Sequence, residues 1–468
     1  MLTFGNTQEW VTRLGTSDAA RRDAEAFLAR VMHAELFTHG REIIVARAPG
    51  RLDVMGGIAD YSGSLVLEWP LADATFVALQ RDTQPSLTID CGPRYAQLRL
   101  PELLPLSYDA ARAFFAADPV NHWAAYVAGA FIVLAREHGV EFAGGARIFV
   151  ASTVPEGKGV SSSAALEVAA MTAICAAYDV RLELRDLALL CQKVENLIAG
   201  APCGVMDQMT AALGESGQLL ALLCQPAEVR GRLDLPRGLA LWGIDSGIRH
   251  AVSGCDYATV RAAAFMGRRI LEDLMRRRLD YLANVTPGEF ATLAARVPER
   301  LTGREFLGRY QGAIDRMTTV DPERVYPVRV AAAHPIHEHA RAREFAEQLS
   351  SFEDAEAQRT RSLAKSAERL GTLMYESHAS YSACGLGSDG TDALVAFIRR
   401  AGPGSGVYGA KITGGGSGGT VAIIGRTDAA PLVYAIAARY ARRRGHAARV
   451  CDGSSPGAAA CGVCDLRL

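Results

Sequence analysis

Residues 146–177 limit what this chain can become more than any other stretch. The apolar run Ala146-Arg-Ile-Phe-Val-Ala predicts a strand, which leads into a loop carrying Gly157, Lys158 and Gly159. Ser161, Ser162 and Ser163 then open an Ala/Leu/Met-rich stretch that predicts a helix to about Ala177. Glycines let the backbone approach an anion closely, and a helix start offers unpaired N–H groups at the positive end of its dipole. The serine hydroxyls can ligate Mg²⁺, which reads as phosphate binding with a metal and hence nucleotide-dependent transfer. They can equally serve as an ordinary helix cap. No Gly-Lys-Ser/Thr closes the loop, so it is not the nucleotide-binding loop G-x-x-x-x-G-K-[ST].

Two further segments are equally hard to explain as packing. Residues 48–64 read Ala-Pro-Gly-Arg-Leu-Asp-Val-Met-Gly-Gly-Ile-Ala-Asp-Tyr-Ser-Gly-Ser, and residues 411–420 read Lys-Ile-Thr-Gly-Gly-Gly-Ser-Gly-Gly-Thr. The second has five glycines in six residues ahead of the apolar run Val421-Ala-Ile-Ile. A hairpin turn needs only about one or two. So much lost backbone entropy implies a partner in close contact with that backbone.

Together, and in this order, these segments and Cys203-Gly-Val-Met-Asp-Gln-Met resemble the GHMP sugar-kinase family, over roughly residues 41–455. Within it they resemble the galactokinase branch, and Met55-Gly-Gly-Ile-Ala-Asp-Tyr-Ser-Gly-Ser is more like that branch's arabinokinases than its galactokinases. The resemblance implies an α+β fold. A ribosomal protein S5 domain 2-like N-terminal domain and a ferredoxin-like C-terminal domain would hold the active site between them. Strands and helices mixed without strict alternation point to α+β independently. The expected domains are residues 1–235, with an N-terminal helical extension, and 236–468, with a helical insertion at about 284–330. ATP is the expected co-substrate, Mg²⁺ the cofactor and a monosaccharide the acceptor.

Carried over residue by residue, the resemblance makes Asp207 the catalytic carboxylate, with Arg51 beside it. Gly157, Lys158, Gly159, Ser161, Ser162, Ser163, Gly414, Gly415 and Gly416 would hold ATP and its phosphates. Ser163 and Glu195 would be the Mg²⁺ partners; Asp60, Gly57, Gly204, Asp207 and Tyr257 would line the sugar site. Without the resemblance, Asp207 reads as a first-turn Asp serving its helix, Glu195 as a solvated helix residue, and Lys158 equally as an exposed lysine. At a helix start and near an arginine, Asp207 is expected to orient a hydroxyl as much as to deprotonate it.

The chain departs from galactokinases beside Asp60. They have Gly-Glu-His-Thr-Asp-Tyr where this chain has Gly56-Gly57-Ile58-Ala59-Asp60-Tyr61, and the Glu binds the C6 hydroxyl of galactose. L-Arabinose lacks the C6 hydroxymethyl group, so its 1-phosphorylation is the expected reaction. An unpaired galactose hydroxyl would cost roughly 1–3 kcal/mol, or about 5–150-fold in specificity. Gly57→Glu is expected to restore the acceptor, or to clash where the loop needs a glycine conformation. A galactokinase, another monosaccharide kinase such as a glucuronokinase, and a catalytically silent sugar sensor remain as alternatives.

Net charge of −1 argues against a nucleic-acid partner. The basic run Arg442-Arg443-Arg444 reads as a solvated helix end. No stretch reaches 18 uncharged apolar residues, so no membrane span is expected. Glu9, Arg13 and Asp18 interrupt any signal pattern, and most of the ten cysteines lie in apolar patterns, as reduced thiols of a cytoplasmic protein do. Cys461-Gly-Val-Cys464 lacks a second pair at zinc-finger spacing. The expected state is a monomer or weak homodimer. Helices are expected over residues 121–136, 184–198, from about 205, 250–278 and 334–381, and a last strand near 447–451.

Overall fold

Two long strands, Glu42–Met55 and Leu65–Arg81, pair antiparallel and are buried along nearly their whole length in the computed structural model. The structure describes residues 3–15, 17–249, 255–310, 318–351 and 361–468. Covered on both faces, such strands read as near-continuous apolar runs. Successive side chains turn to opposite faces. Ile43, Val45, Phe76 and Ala78 pack with Trp10, Leu14, Phe27 and Val31, contributed by residues 7–32. Ile44, Ala46, Val77 and Leu79 pack with the helices Ala125–His138, Ser162–Ala177, Leu184–Lys193 and Met206–Leu213. The N-terminal extension thus covers the face of the sheet opposite the serine-headed helix.

Among the described residues the sheet has nine strands. Thr3–Phe4, Val463–Arg467, Glu42–Met55, Leu65–Arg81, Ala146–Ser152, Ser86–Asp90 and Tyr95–Arg99 follow one another. Gln218–Leu223 pairs with Leu65–Arg81 and carries Glu228–Asp234. Val463–Arg467 corrects two expectations. The strand near 447–451 shrinks to Val450–Cys451 and is not the last, because the chain returns to pair with Glu42–Met55. A cut at residue 235 therefore does not separate the sheets. Cys461 and Cys464 are buried in the Trp10 cluster, and the Trp10 indole N–H donates to the Gly462 carbonyl at 3.3 Å. Their spacing serves packing.

The second sheet runs Val407–Ile412, Thr420–Arg426, Leu239–Asp245 and Val450–Cys451, all antiparallel. The helices Asp389–Ala401 and Ala430–Arg444 pack on one face of it and Arg361–Ala383 on its other side. This is the ferredoxin-like part of an α+β fold. Short helices lie between residues 282 and 309, and residues 311–317 of the span expected as an insertion are outside the described residues. The helical region expected over 334–381 is two helices, Val328–Ser350 and Arg361–Ala383. The helix expected from His250 runs Cys255–Met275, and residues 250–254 lie outside the described residues. Leu184–Lys193 continues into a π-helical turn, Val194–Ala199, that carries Glu195. Among the described residues no helix is long and apolar enough to cross a membrane.

Candidate active site

A cleft of about 710 Å³ opens between the two sheets, within the size range of small-molecule sites. Arg51, Asp60, Gly157, Gly159, Ser161, Ser162, Ser163, Glu195 and Asp207 line it from the first sheet's side; Tyr257 and Gly415 line it from the second. Ile58 is on its wall as well.

Arg51 is near the end of Glu42–Met55, just past an irregularity in its pairing with Leu65–Arg81. Its Nε and one terminal nitrogen donate to the same Asp207 oxygen at 3.0 and 2.7 Å, and the other donates to the Gly159 carbonyl at 2.7 Å. A Glu68 oxygen is 3.3 Å from the same Nε. Burial works against the Arg51 cation, but the charges of Asp207, Glu68 and Asp53 outweigh it and hold the guanidinium protonated. The Asp207 side chain keeps 17% of its surface exposed against 3% for Arg51, so the carboxylate faces the cleft. One guanidinium therefore joins Asp207 to the loop that precedes the serines.

That loop is built by backbone contact. Ser161 precedes the helix in a left-handed conformation, φ 61°, and its hydroxyl caps nothing. The Ser161 Oγ is buried without a hydrogen-bond partner. A non-glycine residue held there costs of order 1–3 kcal/mol, a strain that clusters at functional sites. The glycine-rich loop packs directly on it. A Cβ on Gly414 would lie 2.7 Å from the Gly159 carbonyl oxygen, and one on Gly419 would lie 2.7 Å from that of Lys158. Part of the glycine requirement is thus met within the protein. Of the expected triplet, Gly415 lines the cleft, whereas Gly414 and Gly416 face Gly159 and Leu386.

Lys158 corrects an expectation. Its ammonium pairs with Asp245 at 3.2 Å, at the end of Leu239–Asp245, and it is not part of the cleft wall. A carboxylate from the second sheet has captured the charge that was expected at phosphate.

Asp60 is 3% exposed and accepts the Tyr61 N–H at 2.5 Å. Burial, reinforced by the charge of Asp207, pushes its carboxyl up to about 7, against the pull of Arg261, the Tyr61 N–H and Arg51. Gly204 serves this residue: a Cβ there would fall 1.8 Å from an Asp60 oxygen. Gly204 is therefore behind the site and not on its wall. Tyr257 lies edge-on to Tyr61, ring centroids 6.1 Å apart. Gly57 is a further correction. It is absent from the wall, its N–H is held by Asp53 at 2.9 Å, and a Cβ would land 1.6 Å from the Tyr381 hydroxyl. A side chain at 57 would collide with the second domain before reaching the cleft.

Glu195 is not the solvated residue its helix position predicts without the resemblance; it is 3% exposed. Burial and Asp207 push it up to about 7, opposed by hydrogen bonds from Ser163, Cys203 and Gln208. Gln208 Nε2 reaches Glu195 at 2.6 Å and Glu167 at 3.1 Å. Glu167 is itself 1% exposed, one of its oxygens unpartnered, and burial followed by the Glu195 charge raises it well above the usual carboxylate range. Among the described residues Glu195 has no ion pair, and no cluster of three or more His, Cys, Asp or Glu side chains could hold a metal ion. A buried carboxylate and two hydroxyls at the head of a helix are hard oxygen donors. They fit a small divalent cation completed by phosphate oxygens and water better than a cage of protein ligands.

Sequence reasoning missed Glu167, Gln208, Glu68 and the fully buried ion pair Lys411–Asp53, 2.5 Å. The signal for Glu167 was a lone acid inside the apolar run Leu166-Glu-Val-Ala-Ala-Met. For Lys411 it was a lone cation ahead of the glycine loop.

Residues 125–215 match the GHMP kinases N terminal domain, 356–442 the GHMP kinases C terminal domain, and 32–81 the galactokinase galactose-binding signature. L-arabinokinase of Arabidopsis thaliana is 43% identical over 502 residues, which take in 92% of this chain and 47% of that protein. The chain thus spans about half the length of that relative. Galactokinase of Chloroflexus aggregans is 30% identical, over 86% of this chain and 89% of its own length. Among solved structures, Lactococcus lactis galactokinase complexed with galactose superposes with a TM-score of 0.73 at 18% identity, over 95% of this chain and 100% of that one. Methanococcus jannaschii mevalonate kinase gives 0.52 at 12%, over 89% and 98%.

Proposed function

This chain belongs to the GHMP kinase family, and we propose that it is a sugar kinase transferring the γ-phosphoryl group of ATP to the anomeric hydroxyl of L-arabinose. One observation carries the transfer: Arg51 binds Asp207 and the Gly159 carbonyl at once, so acceptor and phosphate sides of the cleft share one rigid group. Asp207 accepts the hydrogen bond of the attacking hydroxyl, orients it and takes its proton. The sugar oxygen then bonds to phosphorus as the bond to ADP breaks. Positioning and charge neutralisation supply most of such a barrier reduction. Gly157, Gly159, Gly415 and the serine-headed helix cradle the phosphates. Ser163 and Glu195 would hold Mg²⁺, which, when bound, neutralises phosphate charge. Asp60, its carboxyl pushed up to about 7 by burial and the charge of Asp207, can donate to a sugar hydroxyl when protonated and accept from one when ionised.

The sugar assignment rests on the 43% identity to an L-arabinokinase and on Ile58. This apolar residue stands on the cleft wall two residues before Asp60, in place of a polar one, and it offers a hydroxymethyl oxygen no acceptor of its own. The measurement is coupled ADP release over a panel of free sugars. The expected kcat/KM for L-arabinose exceeds that for D-galactose by about 5–150-fold, with D-glucuronate poorer still. Preference for galactose would overturn the arabinose assignment; no turnover with any sugar would overturn the kinase reading.

A further inference from the structure

Gly56, Gly57 and Ile58 present three successive N–H groups, and each meets a different buried acceptor. Glu338 of the helix Val328–Ser350 takes the first at 3.1 Å, Asp53 the second at 2.9 Å, and the Tyr381 hydroxyl the third at 2.8 Å. The Tyr381 hydroxyl in turn donates to the Gly414 carbonyl at 2.9 Å. Tyr381 is fully buried, its ring edge-on to His334 at 5.0 Å and beneath the Lys411 ammonium at 5.2 Å. One phenol oxygen thus ties the loop leading to Asp60 to the loop carrying Gly415.

The same oxygen fills the room of a residue-57 side chain. A Cβ on Gly57 would lie 1.6 Å from it, 2.8 Å from the ring carbon that bears it and 2.6 Å from Asp53 Oδ2, at a backbone φ of +46°. The ring is wedged among buried groups on three elements, so it cannot give way as a surface side chain would. Glycine at 57 and tyrosine at 381 each make sense because of the other.

We propose that Gly57 and Tyr381 are a matched pair that sets sugar selectivity, with Tyr381 the positioning residue. The phenol occupies the place of a side chain at 57 and holds the Ile58 N–H, which keeps the Ile58 side chain on the cleft wall. Selectivity against a hydroxymethyl group then comes from the pair and not from the missing residue-57 side chain alone. The selectivity half rests on the proposed sugar-kinase reading; the pairing does not.

Two measurements separate them. Tyr381→Phe keeps the ring and removes both hydrogen bonds of the oxygen. It should raise the KM for L-arabinose about 3–10-fold with kcat changed less than about twofold, and narrow the L-arabinose to D-galactose kcat/KM ratio at least about threefold. A purely structural tyrosine would lower the melting temperature and leave that ratio in place, which overturns the positioning role. The second measurement is thermal unfolding, without substrate, of Gly57→Ala, Tyr381→Leu and the double variant. The loss of melting temperature from Gly57→Ala should at least halve in the Tyr381→Leu background. Folding of the double variant where Gly57→Ala alone fails to fold supports the pairing equally. Additive losses, or failure of both to fold, overturn it. Coupled losses in a protein that turns over neither sugar would leave the pairing standing and sink the sugar reading.

Discussion

At the phosphate end of the cleft, contacts converge on backbone: glycines 414 and 419 sit against the carbonyls of residues 159 and 158, and the side chains of Arg51 and Thr420 grip those same carbonyls. At the sugar end they run between ionisable side chains. Glu68, Arg51, Asp207 and Asp60 form a chain of charge in which Asp207 alone keeps appreciable exposure. The first end depends on what its residues lack, a Cβ, and tolerates change in side chains that point elsewhere. The second depends on a balance of buried charges, each costly to leave uncompensated. Neutralising one group should therefore do far more at the sugar end than at the phosphate end.

Asp207→Asn is the largest test of that asymmetry. It keeps shape, removes the proton acceptor and leaves Arg51 with Glu68 as partner. The expected loss in kcat is about 10²–10⁴-fold, with the KM for ATP near the parent's. A rate within a few-fold of the parent would take Asp207 out of the mechanism. Glu195→Gln should come next. If Glu195 holds Mg²⁺, removing its charge should raise the metal concentration for half-activity by about 10–100-fold, and Ser163→Ala should raise it less. Titrations that superimpose on the parent's would remove both residues from the metal site.

The same asymmetry governs what could be read from the sequence. The phosphate end was legible because a strand, glycine loop and helix start in order have few structural alternatives. Even there, Lys158 was misplaced, since nothing in the sequence says that Asp245 lies opposite it. At the sugar end Arg51, Asp60 and Asp207 were reachable through motif resemblance, but Glu68, Glu167 and Gln208 lie within apolar strand or helix patterns that mark core, not site. Tyr381 is 324 residues from Gly57, and only the packed fold shows that its oxygen fills the space glycine leaves. Gly57→Glu, which sequence reasoning offers as a rescue, becomes a clash. The return strand Val463–Arg467 was missed because a short segment after a Gly/Ala-rich turn has little periodicity of its own.

A pH test reads the sugar end without substrate. Asp60 has an ordinary value of 3.8 and is pushed up to about 7 by burial and by Asp207, with Arg261, the Tyr61 N–H and Arg51 opposing. Between those values the folded protein keeps a proton that the unfolded chain has released. Its contribution to stability is therefore complete below about 4 and is lost as pH rises toward 7. Each unit of such a shift is worth about 1.4 kcal/mol. Asp60→Asn should flatten the fall in melting temperature over that window. An unchanged slope would mean the carboxyl is not buried against Asp207 as described.

The smallest effect belongs to Lys158. If the phosphate end works through backbone, its loop lysine should matter to stability and not to ATP. Lys158 and Asp245 are 3.2 Å apart and only 21% and 11% exposed, so Lys158→Ala strands a partly buried carboxylate. The expected cost is about 0.5–1.5 kcal/mol in unfolding free energy. The KM for ATP should stay within about twofold, because the groups that meet phosphate are N–H donors and the serine hydroxyls. Lys158→Ala/Asp245→Asn should recover part of the lost stability, since it removes the charge left behind. A tenfold or larger rise in the KM for ATP, with stability near the parent's, would mean the ammonium leaves Asp245 for phosphate on binding. The phosphate end would then depend on a buried charge as the sugar end does, and the contrast between them would fail.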